Sequence, residues 1–112
     1  MQKDFRTAWL LLLLRAGSSY GYELRRALEQ RSLTLDPAVM YRSLRDMERG
    51  GLIRSHWAFS GAGPQRRVYE LTDAGRAELV RIAGAIRSAR DARDAFLEAY
   101  AQPPSGANAA GA

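Results

Sequence analysis

The 112-residue sequence contains no cysteine, one histidine (His56) and one lysine (Lys3). Without cysteine the chain can form neither disulfides nor thiolate metal sites. A single histidine without patterned carboxylates beside it makes a poor metal or catalytic site, so we predict no metal site and no cofactor. The sequence also has no nucleophile–base pair and no phosphate-binding glycine loop. We therefore do not expect an enzyme.

Long hydrophobic runs are missing as well. The apolar run from Trp9 to Leu14 lies between Arg6 and Arg15, whereas a membrane span takes roughly 20 apolar residues. No small-residue cleavage motif follows the run, so it does not fit a signal peptide. The absence of cysteine is compatible with a reducing compartment. We predict a cytoplasmic protein that does not associate with membranes.

Positive charge is in excess, with 17 Lys and Arg residues against 12 Asp and Glu and a formal net charge of +5. All but one of these cations are arginine, which is always ionised and binds phosphate through a planar fork of donors. This composition favours an anionic partner. A GC-rich gene would give the same composition, so charge alone does not decide the function.

Hydrophobic periodicity predicts two helices before residue 31. The first runs from about Asp4 to Ala16 and is expected to be buried on nearly all sides, between its own domain and a further partner. The second is capped by Ser18 or Ser19 and carries Glu23 in its first turn, where a carboxylate suits the helix dipole. The expected apolar faces are Phe5, Trp9, Leu12, Leu13 and Ala16 on the first helix, and Leu24, Ala27 and Leu28 on the second.

The stretch "DPAVMYRSLRDMERG" predicts a third helix with marked ends. Asp36 fits the N-cap, Pro37 fits the first helical position, and the Gly50–Gly51 pair fits a left-handed stop. Met40, Leu44 and Met47 form the predicted inner face. Tyr41, Arg42 and Arg45 then point outwards.

The remaining sequence predicts a hairpin and a long helix. Residues 52–71 alternate in polarity around a turn, "SGAGPQ", which indicates two strands with an exposed basic tip. A final helix begins at Thr72 and Asp73 and reaches about Tyr100. Its apolar residues are spaced three and four apart, interrupted by Arg93, which predicts a dimerisation seam. The seam consists of Leu79, Ile82, Ile86, Ala89, Phe96 and Tyr100.

Three helices followed by a hairpin is the order of a winged helix-turn-helix, in which the third helix enters the DNA major groove. We predict a mainly α fold with a small hairpin: a DNA-binding domain at 1–72, a dimerisation helix at 73–101 and a disordered tail at 102–112. The N-terminus of the third helix favours a phosphate, and its first turns can reach bases. The predicted DNA-binding residues are Pro37, Ala38, Val39, Tyr41, Arg42, Ser43, Arg45, Gln65, Arg66 and Arg67.

The segments "YGYELRRALE", "YRSLRDMERGGLI" and "RRVYELTDAGRAEL" together resemble the PadR family of bacterial transcriptional regulators. The resemblance spans roughly residues 7–80. It implies a dimeric winged helix-turn-helix repressor, in many members relieved by a small aromatic compound. Tyr41 matches the recognition-helix tyrosine of the family. Arg42 stands where the family commonly has proline. Before Tyr41 this chain has Ala38, Val39 and Met40, where the family commonly has small residues and then a leucine, so the operator cannot be carried over.

The sequence alone leaves several alternatives open. Tyr41, Arg42 and Arg45 could form a merely solvated face. Arg66 and Arg67, at the tip of the hairpin that forms the wing, could serve only to protect an edge strand. Arg42 could read guanine or hold a phosphate. A winged-helix module that binds an acidic protein, with no specific DNA site, is the alternative function. Trp9 could be core or could stack on an effector. The predicted effector pocket consists of Phe5, Trp9, Ala89, Arg93 and Phe96.

Overall fold

The computed structural model describes residues 2–59, 61 and 63–104, with side chains from residue 5 onward. Within these ranges the element order confirms the predicted fold class of three helices, a hairpin and a long last helix. The elements are α1 (Gln2–Arg15), β1 (Ser19–Tyr20), α2 (Gly21–Gln30), α3 (Pro37–Arg49), β2 (Ile53–Ala58), β3 (Arg66–Leu71) and α4 (Asp73–Ala101). The described residues up to Ile82 form one compact unit, and those from Ala83 onward form a second. Of the tail predicted to be disordered, residues 105–112 lie outside the described residues.

The ends of α3 are set by local sequence, as predicted. The carboxylate of Asp36 caps the helix, and Pro37 occupies its first position. Gly51 follows the last turn with a φ of 77°, a left-handed conformation that glycine adopts without a Cβ penalty. The amide of Leu52 then donates to the carbonyl of Met47 at 2.9 Å, which folds the chain back onto the helix end. Asp36 and Gly51 thus determine where α3 begins and ends.

The predictions for the first two helices need correction. The buried side chains of α1 are mainly Leu10, Leu11 and Leu14, whereas Phe5 is 45% exposed. The helix is therefore not buried on nearly all sides within the single chain. Trp9 and Leu13 are half-buried and pack against the core, Leu12 is half-buried and Ala16 is exposed, so within one chain the expected apolar face is only partly covered.

The predicted serine cap of α2 is also wrong. Tyr20 is the N-cap residue, and its backbone N–H donates to the Glu23 carboxylate at 2.8 Å. Ser19 instead lies in strand β1 and donates its hydroxyl to the same carboxylate at 3.3 Å. Glu23 therefore satisfies the start of the helix in place of a serine.

The hairpin belongs to a three-stranded antiparallel sheet of order β1-β3-β2. Strands β2 and β3 pair along their full length, from Ile53 opposite Leu71 to Ala58 opposite Arg66. The two-residue strand β1 pairs with the middle of β3, Tyr20 standing opposite Val68. A lone hairpin is marginally stable in water, and β1 gives this one a third strand.

The start of α4 is joined closely to the turn that ends α3. Thr72 accepts from the amide of Gly75 at 3.0 Å, which caps α4. Its hydroxyl also lies 2.6 Å from the carbonyl oxygen of Gly51 and 2.9 Å from that of Leu52. Thr72 thus links the base of the hairpin, the α3–β2 turn and the first turn of α4.

The core of the first unit is apolar and draws on every helix. Its fully buried large side chains are Leu10, Leu11, Leu14, Leu24, Leu28, Met40, Leu44 and Ile53. Burial of this kind contributes about 1.5–3 kcal/mol per large side chain. None of the helices in the described ranges is long and apolar enough to cross a membrane.

Candidate nucleic-acid interface

The outer face of α3 is presented by the burial of its inner face. Met40 and Leu44 are 0% exposed and Met47 is 4% exposed, as the sequence predicts. A helix anchored on these three side chains must turn Tyr41, Arg42 and Arg45 towards solvent, where the structure has them. The other predicted α3 residues divide into exposed Pro37 and Ala38 and half-buried Val39 and Ser43.

Tyr41 packs on the first residue of α2. A Cβ on Gly21 would lie 2.7 Å from the Tyr41 hydroxyl oxygen and 2.8 Å from its Cε1 atom. Any side chain at position 21 would therefore displace the tyrosine. Tyr41 keeps 37% of its surface exposed. No local pattern predicts this pairing, because the two residues lie in separate motifs.

Two of the α3 cations have no carboxylate partner. Among the described residues, no Asp or Glu oxygen lies within 4.0 Å of Arg42 or Arg45, whereas Arg49 pairs with Asp46 at 3.5 Å on the same helix. Surface ion pairs are weak, but they do offset local charge. The middle of α3 therefore presents two uncompensated guanidinium groups, which suits an anionic partner.

The N-terminus of α3 is less open to a phosphate than the sequence suggests. The Asp36 carboxylate accepts from the amides of Ala38 at 2.9 Å and Val39 at 3.3 Å. These amides would otherwise be the donors for a bound anion. A phosphate here would also meet a negative charge. An anion at α3 must therefore be held mainly by side chains.

The two wing arginines lie on opposite faces of β3, because successive residues of a strand alternate. The guanidinium of Arg66 lies over the rings of Tyr20 and Tyr22, 5.9 and 5.2 Å from their centroids. It also donates to the Tyr22 hydroxyl at 3.2 Å, and the two tyrosine rings stack at 5.7 Å. Arg67 instead stands across from Trp57, on the side of α3. Gln65 is exposed beside them.

The inner face of the wing contacts α3 through polar groups that the sequence did not reveal. Ser55 donates to the Glu48 carboxylate at 2.7 Å and accepts from Arg67 Nε at 2.9 Å. Tyr69, opposite Ser55 in the sheet, is buried, and this burial raises the pKa of its hydroxyl although the nearby Arg67 opposes the shift. Only the strand register places these residues side by side.

The residues predicted to bind an effector divide between the two units. In the first unit, Phe5 packs edge-on against Trp9 at 6.4 Å. The guanidinium of Arg31 covers the Trp9 ring at 5.5 Å, so one position for a stacking ligand is already taken. In the second unit, Ala89, Arg93 and Phe96 are exposed on α4.

The predicted dimer seam divides between the two units. Leu79 is half-buried and Ile82 is 8% exposed, and both belong to the core of the first unit. Further along α4, exposure rises to 46% at Ile86 and 80% at Tyr100. Phe96 stacks on Tyr100 with ring centroids 6.4 Å apart. Ala89, between them, is also exposed.

Comparison with known proteins identifies the family. Residues 10–81 match the model of the transcriptional regulator PadR-like family. The chain belongs to the PadR-like family. Its members are transcriptional regulators, not enzymes, which confirms the expectation from the missing catalytic motifs. The family match also confirms the resemblance that the three quoted motifs carry.

One relative in sequence and two solved structures illustrate what this chain is similar to. "Probable transcriptional regulator Rv1176c" of Mycobacterium tuberculosis is 36% identical over 93 residues, which are 79% of this chain and 49% of that protein. This chain thus spans about half the length of that relative. The crystal structure of a PadR family transcription regulator from Clostridium difficile R20291 aligns with a TM-score of 0.77 and 28% identity, over 83% of this chain and 98% of the other. Bacillus subtilis PadR in complex with operator DNA aligns with a TM-score of 0.62 and 24% identity, over 67% of this chain and 44% of the other.

Proposed function

We propose that the chain is a homodimeric, sequence-specific DNA-binding repressor that acts in the cytoplasm. In this proposal α3 lies in the major groove and the wing follows the adjacent backbone. The observation that carries it is the outward face of α3, where Arg42 and Arg45 have no carboxylate partner in the described part of the chain. Family membership supports a role in transcription. The same fold occurs with operator DNA in the Bacillus subtilis protein.

The roles within α3 follow from position and chemistry. Tyr41 can donate its hydroxyl to a phosphate, and its place on Gly21 limits its freedom before binding. Arg42 and Arg45 can pair with guanine or clamp phosphates. Pro37, Ala38, Val39 and Ser43 are small enough to let the backbone approach base edges. At the wing, Gln65 and one of the two adjacent arginines, Arg66 and Arg67, are the remaining candidate contacts.

A mobility shift with the promoter region of the chain's own gene tests this proposal. Arg42→Ala should weaken binding about tenfold or more, since hydrogen bonds to charged groups contribute roughly 1.5–3 kcal/mol. If Arg42 reads guanine, the variant should also lose base preference; if it holds phosphate, binding to all sequences should weaken alike. Arg49→Ala is the matched control, because Arg49 lies on the same helix but is paired with Asp46.

Two results would count against the repressor. Equal retardation of promoter and mixed-sequence duplexes at physiological salt would remove sequence specificity. Retention of an acidic protein from nuclease-treated lysate, with no duplex binding, would favour the protein-interaction module.

The homodimer is proposed from the second unit. Between residues 83 and 101, α4 is almost entirely exposed, and its apolar side chains include Ile86, Phe96, Leu97 and Tyr100. A helix with such a surface gains stability when a second copy covers it. Sedimentation equilibrium should give a dimer for the wild type and a monomer for Phe96→Glu. Ala95→Glu, an exposed neighbour outside the seam, is the control for added charge.

Relief of repression by a planar aromatic effector is the last part of the proposal. Trp9 and Phe5 lie together near the cation Arg31, which suits an aromatic anion. Titration of the Trp57→Phe variant, whose remaining tryptophan is Trp9, should show ligand-dependent fluorescence. A flat response across a library of planar aromatics would favour a constitutive repressor.

A further inference from the structure

The guanidinium of Arg67 is held from two directions. Trp57 is its cross-strand partner in the sheet, and the guanidinium carbon lies 5.0 Å from the centroid of the Trp57 ring. On the diagonal, Nε donates to the Ser55 hydroxyl at 2.9 Å. Ser55 in turn donates to Glu48 on α3 at 2.7 Å. Arg67 is thus connected to the recognition helix through a serine and a glutamate.

The terminal nitrogens of Arg67 remain available. Within the described residues, only Nε has a hydrogen-bond partner, and no carboxylate lies within 4.0 Å of the guanidinium. The side chain is exposed. A phosphate can therefore accept from Nη1 and Nη2 without displacing an internal contact. Holding an arginine in place before binding lowers the entropy that is lost on binding.

Arg66 differs from Arg67 in each of these respects. Its guanidinium covers Tyr20 and Tyr22 on the opposite face of the strand, and its terminal nitrogen Nη1 is engaged by the Tyr22 hydroxyl. These contacts join the wing to the start of α2. Arg66 therefore fits a structural contact between β3 and the start of α2 better than a contact to an outside partner.

We propose that Arg67 is the wing residue that grips a DNA phosphate, and that Trp57, Ser55 and Glu48 are positioning residues that orient it and join it to α3. Arg66 then has a structural role within the fold. This inference rests on the proposed function, since it assumes that the partner is a duplex. It assigns the wing's electrostatic contact to one of two adjacent arginines, a distinction that their sequence does not make.

Fluorescence anisotropy with the full chain and a labelled 30-base-pair duplex from its own promoter tests the assignment, at several salt concentrations. Arg67→Ala should lower the slope of log affinity against log salt by about 0.9 per protomer, or about 1.8 per dimer. Trp57→Leu and Ser55→Ala should weaken binding about two- to fivefold and leave the slope unchanged, because the charge is still present. Both should have no effect in an Arg67→Ala background. Arg66→Ala should lower thermal stability but keep the slope.

A measurement without DNA checks the positioning separately. The side-chain Nε–H signal of Arg67 should be resolved and slow to exchange in the nuclear magnetic resonance spectrum of the wild type, and Ser55→Ala should remove that protection. An equal fall of the salt slope in Arg66→Ala and Arg67→Ala would overturn the assignment. So would unchanged binding by Arg67→Ala while the wild type binds, which leaves the proposed function intact. No duplex binding by the wild type would overturn both.

Discussion

Replacing Gly75 by alanine tests how α4 is joined to the rest of the winged domain. Gly75 is buried in the first turn of α4, against the turn that ends α3. A Cβ at this position would lie 2.6 Å from Cδ1 of Leu71 and closer still to the carbonyl oxygen of Leu52. The leucine side chain can move, but the backbone carbonyl is fixed by its hydrogen bonds to Thr72. The added methyl group must therefore push the helix and the turn apart.

Two opposing effects set the size of the change. Alanine is favoured over glycine in a helix interior by about 0.8–1.0 kcal/mol, and by less in the first turn. Overpacking of a well-packed site costs about 1–3 kcal/mol, and an obstacle made of backbone belongs at the upper end. We therefore expect a net loss of roughly 2 kcal/mol. For a chain of this length, at roughly 4 °C per kcal/mol, that corresponds to a fall in Tm of roughly 8 °C.

Gly84→Ala provides the matched control on the same helix. Among the described residues, nothing lies within 4 Å of a Cβ at Gly84, so the substitution should raise stability by about 0.5–1 kcal/mol. Urea unfolding and thermal melts at equal protein concentration measure both variants, since the stability of a dimer depends on concentration. A Gly75→Ala protein as stable as the wild type would refute the close approach of Gly75 to the Leu52 carbonyl.

Three further predictions use other groups. Thr72→Ala should lower the free energy of unfolding by about 1 kcal/mol through loss of the α4 cap, and Thr72→Ser should restore most of it in urea titrations. Asp36→Asn keeps the cap oxygen but removes its charge. Repulsion between the Asp36 carboxylate and a DNA phosphate amounts to roughly 1 kcal/mol at 4 Å in water, so duplex affinity measured by anisotropy should rise by up to about fivefold. Unchanged affinity would place the phosphates elsewhere. Because burial raises the pKa of Tyr69 above its ordinary 10.0, the folded state keeps this proton to higher pH than the unfolded state. The stabilisation is present below pH 10 and is lost as pH rises through the folded pKa, and Tyr69→Phe should flatten that decline in melts at alkaline pH.

Local signals predicted α3 well. The cap at Asp36, the proline after it and the glycines after Arg49 act on their immediate neighbours, so their effect can be worked out from the sequence alone. The buried stripe of Met40, Leu44 and Met47 follows from helical spacing in the same way. These features determine which side chains α3 turns outward.

The errors arose where tertiary contacts decide between equal local choices. In α1 apolar residues occur on all sides, so periodicity could not tell the inner leucines from Trp9 and Phe5. Strand β1 is two residues long and owes its existence to pairing with β3, far away in sequence. The different surroundings of Arg66 and Arg67 depend on register and on Tyr20, which no local pattern reports.

The wing is a segment whose two ends already meet. Thr72 donates to the carbonyls of Gly51 and Leu52, so the hairpin begins and ends at one point, where the turn after α3 meets the start of α4. Changes in loop length at the far end of the hairpin, between residues 59 and 65, would then leave this junction untouched. Grafting a longer or shorter tip is therefore a way to change the length of the hairpin while the two ends of the segment stay joined.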